Sequence, residues 1–146
     1  MRLKKLPRKV FIDSNIFFYS IIMDKKYGKY CADIIRDVYN GCLRAYISSL
    51  ILLEVANALR KFRVVDLPMK IKAVLSLPIS LIEIDSKDIL DAIDLAGKYN
   101  ISPYDAAHII AMRKMEINTI ISADKDFDNV EYIKRLDPKE YKITTK

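Results

Sequence analysis

The sequence predicts an α/β domain, a three-layer α/β/α arrangement with a mostly parallel central sheet. Short apolar segments alternate with longer segments of helical periodicity. The predicted order of elements is β-α-α-β-α-α-β-α-α-β, and helical connections of this kind join parallel strands that are covered on both faces. The chain has 146 residues, of which 51% are hydrophobic, and this is enough for one buried core.

The first half of the chain contains a buried strand followed by helices with recognisable ends. Gly41 ends the second helix, because glycine readily adopts the left-handed conformation found just beyond helices. Asp66 caps a further helix, and Pro68 lies in its first turn. The predicted elements before it are a strand at 10–13, helices at 15–22 and 27–40, a strand at 44–48 and a helix at 49–61.

The second half repeats this alternation. Ser102 is predicted to cap a helix, Pro103 takes its first position, and Asp105 completes an S-x-x-D capping box. Ligand sites of open parallel sheets lie beyond the carboxyl ends of the strands, which directs attention to the residues that follow them. The other predicted elements are a strand at 79–84, a helix at 86–99, a strand at 119–122 and an edge strand at 131–133.

Several acidic residues lie beside buried apolar segments, where a lone carboxylate is costly to desolvate. A divalent cation is a partner that such acids can share, and hard cations prefer oxygen ligands. The sequence therefore predicts a metal site. The acids are Asp13 after the first strand, Glu54 within an apolar helix, Asp105 in the first turn of a helix, and Asp124 and Asp126 after the strand at 119–122.

Structural roles compete with this interpretation. Asp13 can cap the helix that follows it, Asp105 can form a reciprocal cap with Ser102, and the acids after 122 can form a surface turn. Glu54 is harder to explain, because its intrahelical neighbours are apolar and include no cation. Either Asn57 and a tertiary contact satisfy Glu54, or it reaches a metal.

Two further titratable residues lie near these acids in the sequence. Asp128 is a surplus acid that we expect to face solvent. His108, the single histidine, follows Asp105 by three residues and could approach the site, but such a histidine is more commonly packed in the core. One histidine excludes two-histidine acid–base catalysis of RNA cleavage, and no convincing Ser/His/Asp order is present.

Composition excludes several classes of protein. Three glycines cannot form a Walker A or G-x-G-x-x-G loop. No apolar run approaches the roughly 20 residues of a membrane span. The N-terminus lacks the apolar region of a signal peptide, so a cytoplasmic protein is expected. Cys31 and Cys42 form no C-x-x-C motif and are predicted to be buried free thiols.

The net charge of +6 is concentrated at the N-terminus. Without five residues there, 20 basic and 19 acidic residues remain, which is a net charge of +1. We therefore divide the chain into a basic extension at 1–9 and a single domain at 10–146. The extension either contacts nucleic acid or is simply solvated. Its basic residues are Arg2, Lys4, Lys5, Arg8 and Lys9.

Four segments carry a family resemblance: Phe11-Ile12-Asp13-Ser14-Asn15, Glu54 on an apolar helix, Tyr104-Asp105-Ala106-Ala107, and Ile120-Ile121-Ser122-Ala123-Asp124-Lys125-Asp126-Phe127. Together, in this order and spacing, they resemble a PIN domain over roughly residues 10–133. Within that family the chain is most similar to the VapC-type toxins, which are compact ribonucleases.

The resemblance implies a Mg²⁺- or Mn²⁺-dependent endoribonuclease acting on single-stranded RNA, with 5′-phosphate products. It implies an acidic quartet of Asp13, Glu54, Asp105 and Asp124, in which Asp13, Asp105 and Asp124 hold the metal. Asp126 would be an accessory acid, and Asn15 and Ser122 would orient the site. Basic residues expected to hold the flanking RNA backbone are Lys61, Arg63 and Lys125.

The resemblance also implies partners, namely a small antitoxin protein and a second copy of the chain. Residues 67–77, with Met69, Ala73 and Leu77 at helical spacing, are a candidate contact surface. An RNA-processing nuclease and a non-catalytic RNA-binding scaffold of the same fold remain alternatives. A haloacid dehalogenase-type phosphatase fits less well, because Asn15 replaces the second acid of D-x-D, and a receiver domain expects paired acids before its first helix.

Overall fold

The structure is a computed structural model that describes residues 8–141. Within this range there are five strands and six α-helices, with two short 3₁₀ helices near the end. The strands are β1 (Lys9–Ile12), β2 (Arg44–Ser48), β3 (Ile79–Ile82), β4 (Thr119–Ile121) and β5 (Lys134–Leu136). The helices are α1 (Ser14–Ile22), α2 (Gly28–Tyr39), α3 (Ser49–Lys61), α4 (Leu67–Leu75), α5 (Ser86–Tyr99) and α6 (Pro103–Lys114), and the 3₁₀ helices are η1 (Lys125–Asn129) and η2 (Pro138–Glu140).

The strands form one sheet in the order β3-β2-β1-β4-β5, and every neighbouring pair is parallel. From β1 the chain proceeds first towards β3 on one side and later towards β5 on the other. Parallel strands joined by helices require the helices to cover both faces. The predicted three-layer α/β/α fold is therefore confirmed, and the sheet is parallel throughout the described range.

The core lies around β1 and α6. Val10, Phe11 and Ile12 are fully buried, as expected for the central strand of a sheet covered on both faces. All residues from Asp105 to Met112 of α6 are buried, so this helix has no solvent-facing stripe over two turns. The consequence for function is that the polar side chains of α6 lie inside the protein and need partners there.

Local chemistry determines the ends of several helices as predicted. The Asp66 side chain accepts a hydrogen bond from the backbone N–H of Met69, and Ser102 accepts one from Asp105. Gly41 has a φ of +75°, which an L-residue with a Cβ rarely adopts. Because these caps rest on short-range contacts, they could be predicted from sequence alone.

Two predictions about local structure are wrong. The edge strand lies at Lys134–Leu136 and not at 131–133, because η1 and the turn after it use the intervening residues. Its register is fixed by pairing with β4, where Thr119 faces Lys134. Cys42 is exposed, since it follows the surface turn at Gly41, whereas Cys31 is buried as predicted.

The predicted basic extension lies mostly outside the described residues. These exclude residues 1–7, with Arg2, Lys4 and Lys5, and also residues 142–146. Arg8 is exposed, and Lys9 is the first residue of β1. Between residues 8 and 141 no helix combines the length and the apolar character needed to cross a bilayer.

Candidate active site

The candidate site lies at the carboxyl ends of β1 and β4. These strands are neighbours, and the Asp13 N–H donates to the Ile121 carbonyl at 3.1 Å just beyond them. The chain leaves β1 towards one side of the sheet and reaches β4 from the other. Such a switch point opens a crevice at the ends of the two strands, which is where α/β proteins bind ligands.

Asp13 is buried and held by three donors. Its Oδ1 accepts from the Ser14 N–H at 2.8 Å, and its Oδ2 accepts from the Asn15 amide at 3.2 Å and the Ser122 hydroxyl at 2.5 Å. Asp13 is thus the N-cap of α1 and also a wall of the crevice. Burial raises the pKa of Asp13, although the charge of His108 and these hydrogen bonds oppose the shift.

Asn15 and Ser122 connect the two strand ends. The Asn15 Nδ2 also donates to the Ser122 hydroxyl at 3.2 Å, and the Asn15 Oδ1 accepts from the Ala123 N–H at 3.3 Å. The Ser122 hydroxyl additionally accepts from the Asp124 N–H at 2.9 Å. The start of α1 and the segment after β4 are therefore held in one hydrogen-bonded network.

Asp105, Asp124 and Asp126 form one group of acids, in which each offers an oxygen within 4.8 Å of the others. The Ser102 hydroxyl accepts from the Asp105 N–H at 3.1 Å, but no return bond from Ser102 to the Asp105 carboxyl occurs among the described residues. The predicted reciprocal cap is therefore only half formed. The Asp105 carboxyl instead lies beside the carboxyl groups of Asp124 and Asp126.

The environment of Asp105 favours its protonated form. Burial, with the nearby charges of Asp124 and Asp13, raises the pKa of Asp105 to about 8. At neutral pH the Asp105 carboxyl therefore retains its proton when no cation is bound. It must release that proton before it can bind a metal ion.

Glu54, His108 and Asp13 form a second group within 4.8 Å. The His108 Nε2 lies 2.8 Å from the Glu54 Oε1 and 4.0 Å from the Asp13 Oδ1. The tertiary contact of Glu54 is therefore His108. Asn57, the partner considered from sequence, accepts a hydrogen bond from Arg60. Burial lowers the pKa of His108, but the hydrogen bond to Glu54 and the charge of Asp13 outweigh it and raise this pKa.

The sequence favours a core position for His108 and leaves open whether its ring reaches the site. His108 is fully buried, as a core histidine would be, yet its ring also contacts two acids of the site. Two signals were available. His108 lies three residues after Asp105 on the same helix, and Glu54 lacked any partner on its own helix.

The donor set fits a divalent cation. None of the five acids forms an ion pair with lysine or arginine in the described part of the chain. Among the described residues, His108 is the one cationic side chain that faces these acids, a single charge against several carboxylates. The remaining donors are the carboxylate oxygens that Mg²⁺ and Mn²⁺ prefer. Asp128 differs, because this exposed acid forms a bidentate pair with Arg135 at 3.0 and 3.1 Å.

The predicted basic residues are arranged unequally around the site. Lys61 and Glu54 both line a surface cleft of about 640 Å³ beside α3. Lys125 is exposed at the start of η1, directly after Asp124. Arg63 is exposed beyond the end of α3 with a φ of 60°, and it is not part of the cleft lining. The structure thus brings Lys61 to the cleft but does not bring Arg63 there.

Solved structures with the same fold include a toxin and a toxin–antitoxin complex. VapC20 of Mycobacterium tuberculosis, a sarcin–ricin loop cleaving toxin, has a TM-score of 0.73 and 16% identity, over 85% of this chain and 96% of that one. VapBC2 of Rickettsia felis has a TM-score of 0.65 and 16% identity, over 88% of this chain and 97% of that one. A toxin–antitoxin complex from Klebsiella pneumoniae also has a TM-score of 0.65 and 16% identity, over 92% of this chain and 99% of that one. At such identities the likeness establishes the fold.

No curated protein matches the chain. The sequence does match the family model described as the PIN domain, over residues 10–132. This match begins in β1 and ends just before β5, so it includes all five acids of the crevice. The chain therefore belongs to the PIN domain family.

Proposed function

We propose that this protein is a Mg²⁺- or Mn²⁺-dependent endoribonuclease that cuts single-stranded RNA. The proposal rests on one observation: two neighbouring groups at the switch point, Asp13 with Glu54 and His108, and Asp105 with Asp124 and Asp126, contain five acids. None of these acids has a lysine or arginine partner among the described residues. The chain belongs to the PIN domain family, and VapC20, which has the same fold, is a sarcin–ricin loop cleaving toxin. A bound divalent cation would supply charge neutralisation of the scissile phosphate and activation of water.

The residues of the pocket have distinct roles in this proposal. Asp13, Asp105 and Asp124 hold the cation, Glu54 completes the acidic quartet, and Asp126 is an accessory acid. Asn15 and Ser122 keep Asp13 and the Asp124 backbone in place, as their hydrogen bonds indicate. Asp105 must lose its proton before it can bind a cation.

The cleft beside α3 is the proposed path of the RNA backbone. Its lining includes Lys61, whose ammonium group can contact a phosphate, and Glu54 lies in the same lining. Lys125 and Arg63 are proposed as further phosphate contacts. Unpaired RNA is the proposed substrate, because a single strand can bring one phosphate into a crevice that a duplex backbone would not enter.

The direct test is cleavage of a single-stranded RNA by the purified protein. Cleavage should require Mg²⁺ or Mn²⁺, stop with EDTA, and leave 5′-phosphate ends. Cleavage that persists in EDTA, or products with 2′,3′-cyclic phosphates, would contradict the proposal. RNA binding without cleavage in either metal would instead identify a non-catalytic scaffold.

We further propose that the protein is the cytoplasmic toxin of a toxin–antitoxin pair, and that it forms a homodimer. Proteins of this fold from Rickettsia felis and Klebsiella pneumoniae belong to such pairs. Met69 of α4 is 62% exposed, and Ala73 of α4 and Leu77 just beyond this helix line an apolar groove of about 240 Å³. Sedimentation should show a dimer at micromolar concentration. An adjacent gene for a small antitoxin would separate a toxin from an RNA-processing nuclease.

A further inference from the structure

His108 lies between two acids that belong to different parts of the fold. Its ring is fully buried in α6, with the Phe11 ring of β1 beside it at a centroid distance of 5.6 Å. The Nε2 atom is 2.8 Å from the Glu54 Oε1 on α3 and 4.0 Å from the Asp13 Oδ1 beyond β1. The His108 Nε2 therefore faces both Glu54 and Asp13.

The direction of the short hydrogen bond follows from its partners. A carboxylate oxygen only accepts, so the His108 Nε2–H donates to Glu54. The other ring nitrogen, Nδ1, is buried without a hydrogen-bond partner among the described residues. Both the neutral Nε2–H form and the protonated ring present the same donor to Glu54. The contact therefore does not depend on the charge of the ring.

Between residues 8 and 141, Glu54 has no other hydrogen-bond or ion-pair partner that would fix its position. Leu50 and Ala58, one turn away on either side, are apolar, and the Asn57 carbonyl oxygen is already bonded to Arg60. The Glu54 side chain is 24% exposed towards the cleft that Lys61 also lines. Without the bond from α6, the Glu54 carboxylate would be free to turn towards water and Lys61.

We propose that His108 is a positioning residue, which holds the Glu54 carboxylate beside Asp13 in the pocket. This inference rests on the proposed metal-dependent cleavage at that pocket. A direct role as a metal ligand is less compatible with the contacts. The in-plane position on Nε2 is occupied by the proton donated to Glu54, so the same nitrogen cannot bind a cation while that bond exists.

The test compares two substitutions of His108. His108→Leu removes the donor at similar volume, whereas His108→Gln keeps a side-chain N–H. His108→Leu should lower kcat about 10- to 100-fold and weaken Mg²⁺ binding to a similar degree, which is typical of groups that orient metal ligands. The KM for RNA should stay within twofold, since the ring does not touch the cleft surface. His108→Gln should restore most of the loss.

A matched control separates positioning from stability. Met112→Ala removes a fully buried side chain one turn further along α6. It should lower Tm at least as much as His108→Leu and leave kcat within twofold. If Met112→Ala reduces kcat as much as His108→Leu, or if His108→Leu keeps wild-type kcat and Mg²⁺ affinity, the proposal is wrong. Loss of Mn²⁺ binding with unchanged Mg²⁺ binding would overturn it in favour of a nitrogen ligand.

Two measurements do not require RNA cleavage. Mg²⁺ affinity can be obtained from the metal dependence of Tm, so it tests His108 even if the wild type cuts no RNA and the proposed function fails. In ¹⁵N-edited NMR of the metal-free wild type, the His108 Nε2–H should exchange slowly and shift in Glu54→Gln. A rapidly exchanging or unshifted ring proton would overturn the proposal, even if His108→Leu did not fold.

Discussion

The Ser122 hydroxyl donates a 2.5 Å hydrogen bond to the Asp13 Oδ2, although the two residues are 109 positions apart in the chain. The same hydroxyl accepts from the Asn15 amide and the Asp124 N–H. One buried oxygen thus connects the ends of β1 and β4 and orients both sides of the crevice. Such a network places the acids before any cation binds, which reduces the cost of ordering them.

Removal of a single pocket charge should abolish cleavage without unfolding the protein. Asp13→Asn and Asp105→Asn keep side-chain volume but remove a carboxylate, so each should reduce the RNA cleavage rate by more than about 100-fold. Circular dichroism should confirm an intact fold. Asp128→Asn is the control, because this acid pairs with Arg135 outside the pocket. Wild-type rates in both variants would refute the assignment of the acids.

Divalent cations should stabilise the folded protein. They bind the assembled pocket and not the unfolded chain, which contributes about 2.7 kcal/mol at 100 times the dissociation constant. For a chain of this size the Tm should rise by about 5 to 11 °C. The rise should be smaller in Asp13→Asn, and NaCl of equal ionic strength should have less effect. An unchanged Tm in millimolar Mg²⁺ and Mn²⁺ would show that the acids do not form one metal site.

The protonation of Asp105 predicts a pH dependence of stability. Its pKa is about 8 in the folded protein and 3.8 in a free side chain. Between these values the folded state binds more protons, so its contribution to the free energy of unfolding decreases as pH rises. In EDTA, the Tm of the wild type should fall from pH 4 to 8 more steeply than that of Asp105→Asn. Equal slopes for the two proteins would contradict the shifted pKa.

Metal affinity should change with pH in the opposite direction. A cation must displace the proton held by Asp105, so Mg²⁺ binding should become tighter as the pH rises towards about 8. Titration of Mg²⁺ at several pH values, followed by Tm, measures this effect. Mg²⁺ affinity that is the same at pH 6 and pH 8 would show that Asp105 is not a ligand.

The cleft beside α3 predicts a measurable phosphate contact. Lys61→Ala should weaken binding of single-stranded RNA and reduce the salt slope by about 0.7. The measurement uses Asp13→Asn to prevent cleavage. Lys98→Ala is the control, because Lys98 lies at the carboxyl end of α5, over the Tyr99 ring. If the two substitutions change the slope equally, Lys61 has no specific contact with RNA.

Two glycines predict opposite effects on stability. A Cβ at Gly28 would lie 2.8 Å from the Met23 carbonyl carbon and 3.3 Å from the Tyr19 oxygen, and these backbone atoms cannot move aside freely. Gly28→Ala should therefore destabilise the fold by about 1–3 kcal/mol. At Gly97 a Cβ meets no described atom within 4 Å, so Gly97→Ala in helix α5 should stabilise by about 0.4–1 kcal/mol. Urea denaturation of both variants checks the sign of each effect.

Much of the fold follows from local patterns in the sequence. The caps at Asp66 and Ser102 and the turn at Gly41 depend on neighbouring residues, and β1 is apolar throughout after Lys9. The last strand is different, because Lys134 and Arg135 have no strand-like pattern. They become a strand only because β4 offers a free edge beside them.

The site shows the same division between local and tertiary information. Each acid could be found from sequence, since each follows or interrupts an apolar segment. Their grouping could not, because it depends on how the elements pack. Glu54 and His108 are 54 residues apart and meet only when α3 and α6 are in place. Asp105 likewise lies in a capping-box sequence, yet its carboxyl lies within the group that Asp124 and Asp126 complete.

The sheet order also governs when the pocket can exist during synthesis. Asp13 is translated early, but its partners Ser122 and Asp124 follow β4, near the end of the chain. At about 5–20 residues per second, a ribosome needs roughly 6–25 s to reach residue 124. Until then the nascent polypeptide has only part of the acidic cluster. The pocket therefore cannot assemble before residue 124 has been synthesised.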